Sequence, residues 1–116
     1  MDHLKKAKEL ESQGHYNEAI QELQKAFQLN PKNYFIQVEI GNLYALTNNY
    51  EEAAGYFRRS HRYFSDNVDI KNGLIFCLNA IGNQYQNEKK LDLAEAAFEE
   101  ALSIDDMRAD ILYNAA

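Results

Sequence analysis

An internal repeat constrains the fold of this chain more than any other feature of its sequence. Residues 40–57 read IGNLYALTNNYEEAAGYF, and residues 81–98 read IGNQYQNEKKLDLAEAAF. Each copy has an aliphatic residue followed by Gly and, three residues after the Gly, a Tyr. Further along, each copy has an Ala followed four residues later by a Phe. Recurrence of this kind predicts modules stacked on one another, because a single unit cannot bury its apolar face alone.

The spacing within each copy predicts two antiparallel helices. Ile40, Gly41 and Tyr44 lie at positions i, i+1 and i+4, so they share one face of a helix. Asn48 and Asn49 then interrupt this helix, because their side chains compete for backbone hydrogen bonds and tolerate turn geometry. In the second helix the residues that recur on one face are Ala53, Phe57, Ser60 and Phe64.

This pattern resembles the tetratricopeptide repeat. In one unit the matching residues are Gln37, Ile40, Gly41, Tyr44, Ala53 and Phe57, and in the next they are Leu78, Ile81, Gly82, Tyr85, Ala94 and Phe98. An upstream copy, GHYNEAIQELQKAFQLNP, ends at the only proline, and ADILYNAA at residues 109–116 matches the opening of a fourth unit. The corresponding position of the first helix is occupied in successive units by Ala7, Gly41, Gly82 and Ala116, which are 34, 41 and 34 residues apart. A length of 34 residues is the one that the family prefers.

The resemblance implies an all-α fold, a right-handed superhelical solenoid of antiparallel helix pairs with about seven helices. We expect one domain over residues 1–116, with repeats at about 1–33, 34–67 and 68–108 and a partial unit or capping helix at 109–116. Helix one is expected to end at Gly14, and helix six to run from about Asp92 to Ile104. Asp106 stands where the family usually has a proline, and helix seven is expected from about Met107. Seven additional residues in the third repeat are close to two helical turns. We place them in a longer fifth helix over about residues 68–86. The alternative is one extra turn on each of helices four and five.

Composition narrows the function classes. The net charge of -6 argues against nucleic acid as a partner, because phosphate neutralisation requires a basic face. No stretch is apolar for long enough to span a bilayer, and the charged N-terminal segment does not resemble a secretory signal, so we expect no membrane insertion. A single cysteine, Cys77, fits a reducing compartment. The default expectation is a cytoplasmic protein.

In tetratricopeptide proteins the first helix of each unit chiefly lines the concave face that binds partners. Carried over, the partner-binding candidates are Leu4 and Lys8 in the first unit, Phe35, Val38, Asn42 and Leu46 in the second, Phe76, Asn79 and Asn83 in the third, and Tyr113 in the fourth. An amide both donates and accepts, so these asparagines suit the main chain of an extended peptide, although ordinary solvated positions are the alternative. Large apolar side chains on an open face predict either partner anchors or a groove filled by another chain or a terminal segment.

Other chemistries have weaker support. A known tetratricopeptide subfamily binds acidic chaperone tails through Lys, Asn and Arg, and only Asn42 clearly matches it, so tail binding is disfavoured. The basic run Arg58, Arg59, His61 and Arg62 is interpreted as a solvated face partly neutralised by acidic residues of helix six, with an acidic or phosphate partner as the alternative. No zinc-ligand spacing, Gly-rich phosphate loop or Ser–His–Asp set is present. We expect no cofactor, no metal and no catalytic activity.

The sequence therefore predicts a protein- or peptide-binding module that recognises its partner in a preformed groove. A structural role is the second hypothesis, because a chain that ends inside a repeat presents an apolar end that can stack on a second copy. A third hypothesis is that this chain is the interaction fragment of a longer protein.

Overall fold

Six helices make up the part of the chain that the computed structural model describes, residues 2–115, with side chains described from 2 to 104. They are α1 (His3–Ser12), α2 (Tyr16–Leu29), α3 (Tyr34–Leu46), α4 (Tyr50–Tyr63), α5 (Val68–Asn87) and α6 (Leu91–Ala115). Each helix packs on the next along the chain, and α3 also touches α5. Short connections between packed helices make antiparallel neighbours, so three helix pairs form one stack. The all-α solenoid predicted from the sequence is confirmed.

The turn inside each helix pair has the same geometry in all three units. Gly14, Asn48 and Lys89 have left-handed backbones with φ of 82°, 65° and 63°. After each of them, the amide of the following residue donates to a carbonyl five residues earlier at 2.8 Å. This hydrogen bond caps the end of the first helix. The predicted end of the first helix at Gly14 and the interruption at Asn48 are confirmed, and Lys89 adopts a conformation that usually favours glycine.

The core consists of two apolar clusters that meet at Tyr44. One lies among the first three helices and contains Ala7, Ala19, Ile20, Leu23, Ala26, Ile36, Ile40 and Leu43. The other lies among the last three and contains Ala53, Ala54, Phe57, Leu74, Cys77, Leu78, Ile81, Ala97, Ala101 and Ile104. Tyr44 is partly buried and packs against both clusters. Continuous burial through the stack is what lets three short units fold together.

Phe57 is the central side chain of this stack. It is only 1% exposed, and its ring lies on the backbones of two helices. A β-carbon built on Gly41 of α3 would lie 3.2 Å from the ring, and one built on Gly73 of α5 would lie 2.9 Å from it. Glycine at both positions allows this close approach. Phe64, predicted to share the buried face of Phe57, is instead 44% exposed, because α4 ends one residue before it.

The seven additional residues of the third unit lie in α5. This helix has 20 residues against 13 in α3, whereas α2 and α4 have 14 each. An extra turn on α4 is thereby ruled out. With Gly82 aligned on Gly41, the additional residues are 68–74, at the start of α5. The predicted repeat boundaries themselves remain predictions.

One helix boundary differs from the expectation. The sequence predicted a break near Asp106 and a seventh helix from about Met107, but α6 runs without interruption to Ala115. Neither glycine nor proline occurs in this segment, so no residue in it forces a helix to end. Six helices are therefore described where about seven were expected. The side chain of Tyr113 lies outside the described residues.

Candidate partner-binding surface

The partner-binding candidates on α3 and α5 are accessible side chains. Phe35 is 66% exposed, Leu46 58% and Phe76 59%. Asn42, Asn79 and Asn83 are also exposed, as are Leu4 and Lys8 on α1, while Val38 is half-buried. Accessibility is necessary for partner binding, and the role of each residue stays a prediction.

A small pocket is present beside Phe35. It has a volume of about 160 Å³ and is lined by Phe35, Val38, Phe64, Asn67, Asp69 and Ile70. We refer to it as the Phe35 pocket. One wall is the start of α3 and the other is the first turn of α5. The side chain of Asn67 accepts a hydrogen bond of 3.0 Å from the amide of Ile70, so an N-cap fixes the second wall.

Only two of the six residues that line this pocket were predicted to bind a partner. Phe35 and Val38 were predicted to bind a partner, whereas Phe64 was assigned to the core and Ile70 to no site. Periodicity within one helix cannot bring the start of α3 next to the start of α5. The additional length of the third unit was the one available signal, since it supplies the residues of the second wall.

Neighbouring aromatic rings hold Phe64 in place. Tyr34 and Tyr63 stack with ring centroids 3.8 Å apart, and Phe64 meets Tyr34 edge-on at 6.2 Å. The hydrogen bond with Tyr63 is the main cause that raises the pKa of Tyr34 above its usual value. This aromatic cluster forms one edge of the Phe35 pocket.

Phe76 belongs to a separate apolar spot. Its ring meets Tyr50 edge-on with centroids 6.0 Å apart, and the Tyr50 hydroxyl donates to Asn48 at 2.9 Å. Phe76 follows Ile70 by six residues, which is about 9 Å along the axis of α5. The structure therefore provides two apolar contact points, not one joint site for Phe35 and Phe76.

The basic run on α4 is partly engaged within the chain. Arg58 donates to both carboxylate oxygens of Glu100, at 2.6 and 2.8 Å, and thereby connects α4 to α6. The guanidinium of Arg59 lies 5.4 Å from the ring centroid of Tyr56. The expected neutralisation by acidic residues of α6 is confirmed at Glu100.

Nothing within residues 2–104 gathers three His, Cys, Asp or Glu side chains closely enough to hold a metal ion. Cys77 is buried, and burial raises the pKa of its thiol to about 11 because it disfavours the thiolate. Of the helices described, none has the length and apolar character needed to cross a membrane.

Stacked antiparallel helix pairs define a helical-repeat solenoid, a class that presents an extended surface to its partners. Family models for the tetratricopeptide repeat match residues 4–66 and 77–106. The first match alone spans more than half of the chain, and the chain belongs to the tetratricopeptide repeat family. Repeats of this family generally mediate protein–protein interactions and are typically not enzymes. Residues 67–76, between the two matches, contain the two additional turns of α5. No curated protein matches the chain.

Proposed function

We propose that this chain binds a segment of another protein on the exposed faces of α3 and α5, with an apolar side chain of the partner in the Phe35 pocket. The observation that carries this proposal is the exposure of Phe35 beside an apolar cavity formed with Val38, Phe64 and Ile70. Exposed apolar clusters of this kind mark interaction sites, and aromatic residues in them tend to dominate binding energy.

The position of the second contact point sets the spacing between the two apolar side chains of the bound segment. Phe76, whose ring meets Tyr50, lies about 9 Å from Ile70 along the axis of α5. A peptide in the polyproline II conformation rises about 3.1 Å per residue and repeats every three residues, so two apolar side chains three residues apart point the same way and reach both points. The amides of Asn42 and Asn83 form no hydrogen bond with other described side chains and are available to the peptide main chain.

Charge favours a neutral or basic partner segment. Asp69 stands at the rim of the Phe35 pocket, and the chain as a whole carries a net charge of -6. Acidic tails would meet repulsion there. Of the positions that match the carboxylate-binding set only Asn42 clearly fits, and the third unit lacks the Lys and Arg that recognise a carboxylate. We therefore infer recognition of a short apolar segment flanked by neutral or basic residues, with no catalytic step.

Selection of peptides from a random library on the immobilised chain tests this proposal. We expect selected peptides to share two apolar residues about three positions apart. Their affinity should fall about 30-fold for Phe35→Ala, which corresponds to a hot-spot loss of about 2 kcal/mol. Leu91→Ala is the matched control, because Leu91 is an exposed apolar residue at the start of α6 and lines neither the Phe35 pocket nor the contact between Phe76 and Tyr50. Selected peptides that bind Phe35→Ala and Phe76→Ala as tightly as the wild type would exclude this surface.

Self-association is a second candidate, favoured by the outer side of α6. Leu91 and Leu102 are exposed there, and the ring of Phe98 beside them is only half-buried. Phe98 contacts Gly82 closely, as Phe57 contacts Gly41. A second copy stacked on this face would bury these residues. Sedimentation over a wide concentration range tests the idea: a dimer that Leu102→Glu abolishes supports it, and a monomer at every concentration refutes it.

A further inference from the structure

A larger pocket is present on the opposite side of α5 from the proposed groove. Its volume is about 340 Å³, and the residues that matter for its chemistry are Glu51, Arg58, Leu78, Tyr85, Ala97 and Glu100. Leu78 and Tyr85 project about 160° around the helix from Phe76 and Asn83, because each residue turns the helix by about 100°. This pocket lies between α4, α5 and α6 and is separate from the Phe35 pocket.

The corresponding gap one unit earlier is filled by the chain itself. Between α2, α3 and α4, the half-buried ring of Tyr56 stacks on Tyr44 with centroids 5.8 Å apart and planes inclined by 22°. The side-chain amide of Gln24 donates to the Tyr56 hydroxyl at 3.3 Å. One tyrosine thus closes the gap, with an aromatic neighbour for its ring and a polar group for its hydroxyl.

The repeat register relates the two gaps residue by residue. With Leu23, Phe57 and Phe98 aligned as equivalent core positions, Gln24 corresponds to Arg58 and Tyr56 to Ala97. Aligning Gly41 with Gly82 makes Tyr44 correspond to Tyr85. Arg58, Tyr85 and Ala97 all line the pocket. The pocket is therefore the place where one unit has a tyrosine ring and the next has only a methyl group.

We propose that this pocket, which we call the Ala97 pocket, binds the side chain of a tyrosine from a partner protein. The ring of the partner's tyrosine would stack on Tyr85, as Tyr56 stacks on Tyr44, and would also contact Leu78 in the lining of the pocket. A phenol hydroxyl can donate to a carboxylate and accept from a guanidinium. Glu51 and Arg58 offer these two groups at the rim, and the Tyr85 hydroxyl is already fixed by a hydrogen bond of 2.7 Å to Glu51.

Charge selects the neutral phenol over its phosphate ester. Glu51 and Glu100 place two carboxylates at the pocket against one guanidinium, and Arg58 already donates two hydrogen bonds to Glu100. A phosphate would carry close to two negative charges into this site and meet repulsion from both carboxylates. Phosphorylation of the partner tyrosine is therefore expected to release it.

Titration with p-cresol, the chemical equivalent of a tyrosine side chain, tests the proposal by NMR. We expect saturable shifts of the Ala96 and Ala97 methyl signals with a dissociation constant on the order of 1 mM, as suits so small a ligand. Phenyl phosphate should produce no such shifts. Ala97→Tyr fills the pocket from within and should weaken p-cresol binding at least about tenfold, whereas Ala97→Ser leaves the pocket open and should bind as the wild type does.

A second variant tests the comparison between units in the other direction. Tyr56→Ala empties the earlier gap, so two molecules of p-cresol should bind where the wild type binds one. No saturable shift in the wild type, or equal binding by wild type and Ala97→Tyr, would overturn the proposal. Phe35→Ala should leave p-cresol binding unchanged, so failure of this site and failure of the proposed peptide groove are distinguishable.

Discussion

The close approach of two glycines to Phe57 makes the consequence of adding one methyl group calculable. Gly73→Ala would place a β-carbon 2.9 Å from the ring, where favourable carbon–carbon contacts lie at about 3.5–4.0 Å. The ring must shift by roughly 0.6–1.1 Å to restore that distance. Phe57 is 1% exposed, and the same ring atoms also lie against Gly41, so the ring has little free space to move into.

Two opposing terms set the magnitude. Alanine in a helix interior is favoured over glycine by about 1 kcal/mol, and an extra carbon in a well-packed core costs about 1–3 kcal/mol. Taking the middle of that range, Gly73→Ala should lower the free energy of unfolding by about 1 kcal/mol. Gly55→Ala is the matched control, because a β-carbon there meets no atom within 4 Å. It should raise stability by about 1 kcal/mol.

Urea denaturation followed by circular dichroism measures the difference, expected to be about 2 kcal/mol between the two variants. In thermal unfolding this corresponds to roughly 8 °C for a chain of this size. Gly41→Ala, with a β-carbon 3.2 Å from the ring, should fall between them. Equal stabilisation by Gly73→Ala and Gly55→Ala would refute the reasoning, because it would mean that the ring of Phe57 is free to move.

Three further predictions concern other parts of the stack. Lys89→Gly should raise the free energy of unfolding, measured by urea denaturation, by about 0.5 kcal/mol. The left-handed backbone of Lys89 costs about 1 kcal/mol, and the greater entropy that glycine loses on folding offsets part of this gain. A destabilised variant would contradict this prediction. The hydrogen bond to His3, at 2.6 Å, lowers the pKa of Glu22 below its usual 4.5. Glu22 should therefore stabilise the α1–α2 pair above about pH 4.5 and lose that effect as the pH falls, so acid unfolding of Glu22→Gln should be shallower than that of the wild type. The thiol of Cys77, with its pKa raised to about 11, should react with a thiol reagent at least about 100-fold more slowly in the folded chain than in urea; equal rates would show that the site opens readily.

Sequence patterns predicted those features that local chemistry determines. The turn at Gly14 follows from the conformational freedom of glycine, and the length of α5 follows from a seven-residue addition that preserves the helical face. Phe64 was assigned wrongly because periodicity identifies a helix face only while the helix lasts, and α4 ends at Tyr63. The boundary near Asp106 was wrong because it followed the repeat register, and Asp106 stands where the family usually has a proline, the residue that would end the helix.

Neither pocket could be assembled from the sequence, because each is built from helices that are not consecutive along the chain. The Phe35 pocket joins the start of α3 to the start of α5, and the Ala97 pocket joins α4 to α6. The Ala97 pocket is indicated by the sequence only when equivalent positions of successive units are compared. Ala97 opposite Tyr56 is visible in the sequence once the register is known, but its meaning depends on Tyr44 and Gln24 surrounding that tyrosine in space.

Both candidate sites lie where the third unit departs from the second. The additional turns of α5 supply Asp69 and Ile70 to one pocket, and the loss of an aromatic ring at Ala97 opens the other. Positions that recur, such as Gly41 with Gly82 and Phe57 with Phe98, are needed for each unit to pack on itself, so substitutions there should act mainly on stability. A position that differs between units is not needed for this common packing. Its side chain can therefore contact a partner without lowering the stability of the stack. The same additional turns also contain Gly73, whose backbone packs on the ring of Phe57. The additional residues of α5 therefore contribute both to the proposed groove and to the core.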